Sequence, residues 1–201
     1  LCMRTTPNGS RARRMLPACE SGLANSDPAV GLMSKKPKAK APAAAAYPTV
    51  PKKIGKGQKL PPTDHVARHV PWQRLRKDED DNVLGVLPEA FRLRLGELGM
   101  SVNWLEHYPG DHRARIAAVI GNLRVNLDIR PKSAFAIANV GALENCCKQS
   151  GSSVKIVYAP TNGIPSHALV RDMNDDLGLL ALLADEVFTE FVQNKDIPRP
   201  A

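Results

Sequence analysis

The stretch Ser133-Ala134-Phe135-Ala136-Ile137-Ala138-Asn139-Val140-Gly141-Ala142-Leu143 decides the fold. Its first six residues are mostly apolar on both alternating faces, the pattern of a strand buried inside a sheet. Asn139 is a helix-capping residue, because its side-chain oxygen accepts a free N–H of the first turn. Val140, Leu143 and Cys147 follow at helical spacing, and Gly151 suits the left-handed residue that closes a helix. Val154, Ile156 and Tyr158 then alternate as a further strand. Thirteen residues separate Asn139 from Ser153, close to the least a parallel crossover requires. A βαβ unit is therefore expected here.

Working outward toward the N-terminus, Pro109-Gly110-Asp111 opens a helix with Asp111 as cap, and Ile116, Val119, Ile120 and Leu123 share one face. Val125, Leu127 and Ile129 alternate with polar residues up to Pro131, which predicts a strand. Residues 65–70 alternate and are stopped by Pro71, which suits a short edge strand. Residues 72–82 read as a polar loop, residues 83–87 as a short strand, and Pro88 as the opening of a short helix over 89–95. Residues 101–106 read as a strand. Toward the C-terminus, Thr161-Asn162-Gly163 makes a turn and residues 166–171 a strand. Asn174 caps a last helix whose buried stripe is Leu177, Leu180, Ala184, Val187 and Phe191. The expected fold class is α+β: a single small domain over residues 64–195 with a mixed β-sheet, one βαβ unit and a C-terminal amphipathic helix. Residues 196–201 are a short tail.

Charge is divided unevenly along the chain. Residues 1–63 carry 12 Lys and Arg against Glu20 and Asp27, a net of +10, whereas residues 64–201 carry 16 against 18 acids, a net of −2. The basic character thus belongs to the leading segment, and polyanion attraction has to be argued from there. Residues 33–63 are a Lys/Ala/Pro low-complexity segment with eight lysines and no acid, expected to be a disordered tail because so little apolar surface cannot offset ordering entropy. Residues 1–32 read as upstream sequence ahead of a start at Met33, or as further disorder. No apolar run reaches the ~20 residues of a membrane span, and no signal peptide is evident. Cys2, Cys19, Cys146 and Cys147 form no CxxC pattern, so reduced thiols and a cytoplasmic location are expected. Aromatic residues make up 4% of the chain, which leaves few rings for stacking on nucleobases.

Several constellations could carry chemistry. Asp78, Asp80 and Asn82 fall at positions 1, 3 and 5 of a calcium loop with Glu89 at position 12, but Val83 replaces the glycine of the sharp turn, so a solvated acidic turn competes. Glu106, His107, Asp111 and His112 cluster at a strand-to-helix junction, where imidazoles and carboxylates could do acid–base work or hold a metal; capping by Asp111 is the simpler role. No GxSxG, GxGxxG or P-loop pattern occurs, and Cys147 reads as a small buried hydrophobe. Arg74, Arg76, Lys77, Arg92 and Arg94, with Arg68, Arg113 and Arg115, either converge on a phosphate-facing surface or pair with the acidic run. No cofactor is predicted. The leading functional reading is an accessory or binding protein that meets nucleic acid or another polyanion through Lys35, Lys36, Lys38, Lys40, Lys52, Lys53, Lys56 and Lys59. The alternatives are a small hydrolase or transferase built on Glu106 to His112, and a module for an unidentified protein partner, with no membrane role.

Overall fold

The computed structural model describes residues 54–199. Expectations for residues 1–53, including Lys35, Lys36, Lys38, Lys40, Lys52 and Lys53, lie outside the described residues. The architecture is α+β. Six strands form one sheet: β1 (His65–Val70), β4 (Met100–Trp104), β5 (Ala134–Asn139), β6 (Lys155–Tyr158), β7 (His167–Arg171) and β8 (Glu190–Gln193), in the order β6-β7-β4-β1-β5-β8. A separate hairpin joins β2 (Leu75–Lys77) to β3 (Val83–Val86).

Every pairing in both sheets is antiparallel. The helix α2 (Val140–Gln149) does cross between β5 and β6, which run the same way, but β7, β4 and β1 lie between them. The sheet is sandwiched. Val66, Val70, Val102, Trp104, Ile156 and Val170 face α2 and α3 (Leu177–Leu182), whereas Ala67, Phe135 and Ile137 face α1 (His112–Asn126). Within β5, Ala134, Ala136 and Ala138 lie under α2 and α3, and the larger Phe135 and Ile137 lie under α1. Small side chains let the two helices sit close; bulk on the other face fills the gap to one helix.

Local chemistry explains the helix starts. The side chains of Asp111, Asn139 and Asp176 accept the backbone N–H of Ala114, Ala142 and Leu179 respectively, each satisfying a donor the first turn leaves free. Asp176, three residues' helical reach from Leu179, displaces Asn174 as the cap of the last helix.

Five of the expected elements differ in place or extent. First, β1 is an interior strand and not an edge, since Pro71 lies just past its end and never needs to donate to the ladder. Second, α1 runs on to Asn126, so Val125 to Ile129 form no strand; the alternation there is incidental, and Val125 is 61% exposed. Third, residues 75–77 of the expected loop pair with β3. Fourth, only residues 88–90 of the expected helix over 89–95 turn helically, as a 3₁₀ turn. Fifth, the last helix gives way to a π turn (Leu183–Val187); Leu177 is exposed, Leu179 and Leu183 replace it in the buried stripe, and Phe191 belongs to β8. No helix among the described residues is long and apolar enough to cross a membrane.

The segment read as tail also enters the domain at its end. Gly57 N–H donates to the Tyr158 carbonyl, Tyr158 N–H to Gln58, and Leu60 N–H to Ile156, laying residues 57–60 along β6. Leu60 is buried in the main core cluster. Leu60→Ala is expected to destabilise the domain by about 2–5 kcal/mol, the usual range for a buried leucine truncation. Chemical denaturation checks this; an unchanged midpoint would detach residues 54–63 from the folded unit.

Candidate functional site: a cleft where the sheet parts

Strands β1 and β4 are neighbours for only two residue pairs, Val66↔Trp104 and Ala67↔Asn103. By contrast β1 pairs with β5 over six residues, and β4 with β7 over four. Beyond Ala67 the two strands separate, and Arg68 takes over the function of the missing ladder. Its Nε donates to the Ala90 carbonyl at 2.9 Å and its Nη1 to the Ser101 carbonyl at 2.7 Å. A guanidinium carries its donors in a rigid fork, so one side chain ties both walls of the opening.

A cleft of about 480 Å³ occupies this parting. One wall comes from β1 (Arg68, His69) and the turns that follow it (Arg74, Glu89, Arg92, Arg94); the other from β4 and β7 (Ser101, Asn103, His167). The end is closed by Leu123 and Leu127 of α1 and its exit, with Thr161 and Ile164 of the loop after β6. Four arginines and two carboxylates, Glu89 and Glu97, give the lining a cationic balance. Arg92 is 3.4 Å from Asp175 and Arg94 3.9 Å from Glu97, both weak exposed pairs.

Arg68 is half-buried, and its acceptors are neutral carbonyls; among the described residues no carboxylate lies within 4 Å of it. Burial pushes its pKa down to about 10, with Glu97 acting against that shift and Arg94 adding to it. It remains charged at neutral pH, and among the described residues its Nη2 makes no hydrogen bond. His167 donates from Nδ1 to the Ala159 carbonyl at 2.7 Å, since a carbonyl can only accept. A neutral His167 is thereby fixed in the tautomer whose Nε2 accepts. Asn103 is buried opposite it in register, with Oδ1 3.5 Å from the Ser166 hydroxyl. His69 packs on Phe135, its Nε2 is buried without a partner, and its pKa is lowered by burial and then by Arg68 and Arg94.

The residues singled out from sequence scatter differently. Glu106 accepts from the His65 backbone N–H at 2.8 Å, contacts His65 Nδ1 at 3.0 Å and Arg115 at 3.4 Å. His112 pairs with Glu190 at 2.9 Å and sits edge-on to His65. Asp111 is a helix cap, and His107 is buried among Trp104, Tyr108 and Tyr158 with its Nε2 unpaired and its pKa lowered by burial. Glu106 and His112 thus meet only through His65, while Asp111 caps α1 and His107 packs among aromatic rings, and Glu106 holds β1 against the N-terminal half of α1.

The calcium-loop pattern resolves into a hairpin turn. The Asp78 carboxylate accepts from Asp80 N–H, Asn82 N–H and the Asn82 amide, which together hold it below the usual carboxylate range, the Asn82 side chain most of all. Glu89 belongs to the cleft wall, and Asp78, Asp80 and Asn82 do not. Among the described residues no group of three or more His, Cys, Asp or Glu is placed to hold a metal. Burial pushes the Cys147 thiol up to about 12, which keeps it protonated and unreactive. Of the arginines, Arg68, Arg74, Arg92 and Arg94 converge, while Arg76 pairs with Asp185 and Arg115 with Glu106. Lys56 and Lys59 are exposed beside β6. His167 and Asn103 had no local signal: only the pairing of β4 with β7 brings them together.

The two lowered histidines set a pH dependence. Unfolding lets each take up a proton near its ordinary value of 6.5, whereas the folded protein resists protonation until lower pH. The unfolded state binds more protons in that window, so their contribution is complete above about pH 6.5 and is lost as pH falls below it. Urea denaturation from about pH 7.5 to about pH 5 should show this decline, and His69→Asn or His107→Asn should flatten it. No family model matches the chain, and neither does any curated protein or solved structure.

Proposed function

We propose that this domain binds a small oxyanion-bearing ligand in the cleft between β1 and β4. The observation that carries the reading is Arg68: a desolvated guanidinium held by two neutral carbonyls in a concave, cationic cleft, with an Nη2 that makes no hydrogen bond among the described residues. A desolvated guanidinium that Glu97 offsets only in part, with no carboxylate of the described residues within 4 Å, is unfavourable, and an oxyanion ligand supplies a partner with charge-assisted, fork-shaped hydrogen bonds. Arg74, Arg92 and Arg94 surround the opening and raise the local concentration of anions. The cleft volume lies in the ordinary range for a small-molecule site.

Thermal unfolding with inorganic pyrophosphate at low salt tests this. A ligand at 100 times its Kd adds about 2.7 kcal/mol, which raises the midpoint of a domain this size by roughly 5–10 °C. Arg68→Met should abolish that rise, and Arg92→Gln should reduce it. A wild-type midpoint indifferent to phosphate, pyrophosphate and carboxylates alike would reject the reading.

The lysine-rich segment supports a second reading, sequence-independent contact with nucleic acid, resting on eight lysines with no acid across residues 33–63. Replacing all eight lysines by glutamine in the full chain should remove retention on DNA or RNA at low salt, and unchanged retention would reject it.

A further inference from the structure

The cleft has two chemically different ends, and we infer that its ligand is correspondingly two-part: a nucleoside phosphate, free or at the end of a nucleic-acid strand. This rests on the anion reading and adds the identity of the body that carries the anion. Arg74, Arg92 and Arg94 make one end cationic. Leu123, Leu127 and Ile164 make the other apolar. That second end is tightly built: at Gly163 a Cβ would overlap the Asn126 side chain, so the loop of residues 161–164 seats directly on the end of α1. Leu127 is 44% exposed, an apolar side chain that the protein's own core leaves partly uncovered in the cleft lining.

Between the ends stand Asn103 and His167. They face each other across β4 and β7, so their side chains emerge side by side on one face of the sheet. His167 Nδ1 is committed to the Ala159 carbonyl, which makes Nε2 an acceptor in the neutral ring. The Asn103 amino group makes no hydrogen bond among the described residues, which makes it a donor. A donor beside an acceptor, next to an apolar wall, matches the edge of a nucleobase, which presents an acceptor beside a donor on a flat apolar ring. A sugar phosphate offers hydroxyls and no such face; an inorganic anion offers neither. The C-terminal end of α1, carrying partial negative charge, lies at the apolar end and repels the phosphate toward the arginines.

Titration calorimetry on the full chain at fixed low salt tests the inference with six probes: adenosine monophosphate, guanosine monophosphate, adenosine, ribose 5-phosphate, inorganic pyrophosphate and a 5′-phosphorylated trinucleotide. At least one nucleoside monophosphate should bind about tenfold or more tighter than ribose 5-phosphate and than adenosine. Leu127→Ser, at a partly exposed position, should weaken the nucleotide at least about fivefold while leaving pyrophosphate unchanged. A trinucleotide preferred over the monophosphates supports the same chemistry and assigns it to a strand end. Equal binding of ribose 5-phosphate and nucleotide, or an unaffected nucleotide affinity in Leu127→Ser, overturns the nucleoside while pyrophosphate binding keeps the anion reading intact. Absence of binding by every phosphate removes both.

Discussion

One guanidinium holds open what would otherwise close. Two antiparallel strands that begin to pair will normally continue, because each further pair satisfies a donor and an acceptor that burial would leave costly. Strands β1 and β4 stop after two pairs, and Arg68 reaches across to the Ser101 carbonyl and to Ala90 beyond it. The unmet backbone acceptor of one strand is thus satisfied by a side chain of the other. The same contact fixes the hairpin side of the domain to the sheet, since Ala90 closes the 3₁₀ turn that follows β3. Arg68 serves the cleft and the packing alike, which is why the ligand-induced rise in the melting point, and not the melting point of the free protein, is the informative readout for it.

Around this parting the rest of the molecule is conventional. The Ala134, Ala136 and Ala138 face of β5 brings α2 and α3 down onto the sheet, and Phe135 and Ile137 support α1 on the far side. Glu106 anchors the start of β1 through His65 and reaches α1 through Arg115. Trp104 donates its indole N–H to the buried Asp64 carboxylate, pinning the paired end of β1 and β4. Those contacts sit at the closed end of the divergence, so the strands are clamped at one point and free to diverge from it.

Local pattern made the strands and helices legible wherever chemistry is local. Asp111 and Asn139 announce helix starts by their own side chains, and β5 announces its interior position by lacking a polar face. The reading failed where a residue's role is set by its neighbour in space. Pro71 made β1 look like an edge, yet the proline lies past the strand's end, and Arg68 and His69 line a cleft between interior strands. The alternation over Val125, Leu127 and Ile129 imitates a strand, but Val125 still belongs to α1, the Leu127 N–H donates back to the Leu123 carbonyl, and Leu127 lines the cleft. Convergence of four arginines was foreseeable as one of two outcomes; the partnership of Asn103 with His167 depends on strand order and has no trace in spacing.

Residues 57–60 have an effect beyond extending the sheet. By lying along β6 and passing straight into Pro61 and Pro62, they end one margin of the sheet in residues that cannot donate a ladder bond. Within the described residues that leaves β8 as the margin still able to accept another strand. A sheet whose more open margin is β8 pairs with its own copy there about a twofold axis, which closes at a pair. Open-ended stacking into fibres draws on both margins of a sheet, and the two prolines blunt the other one.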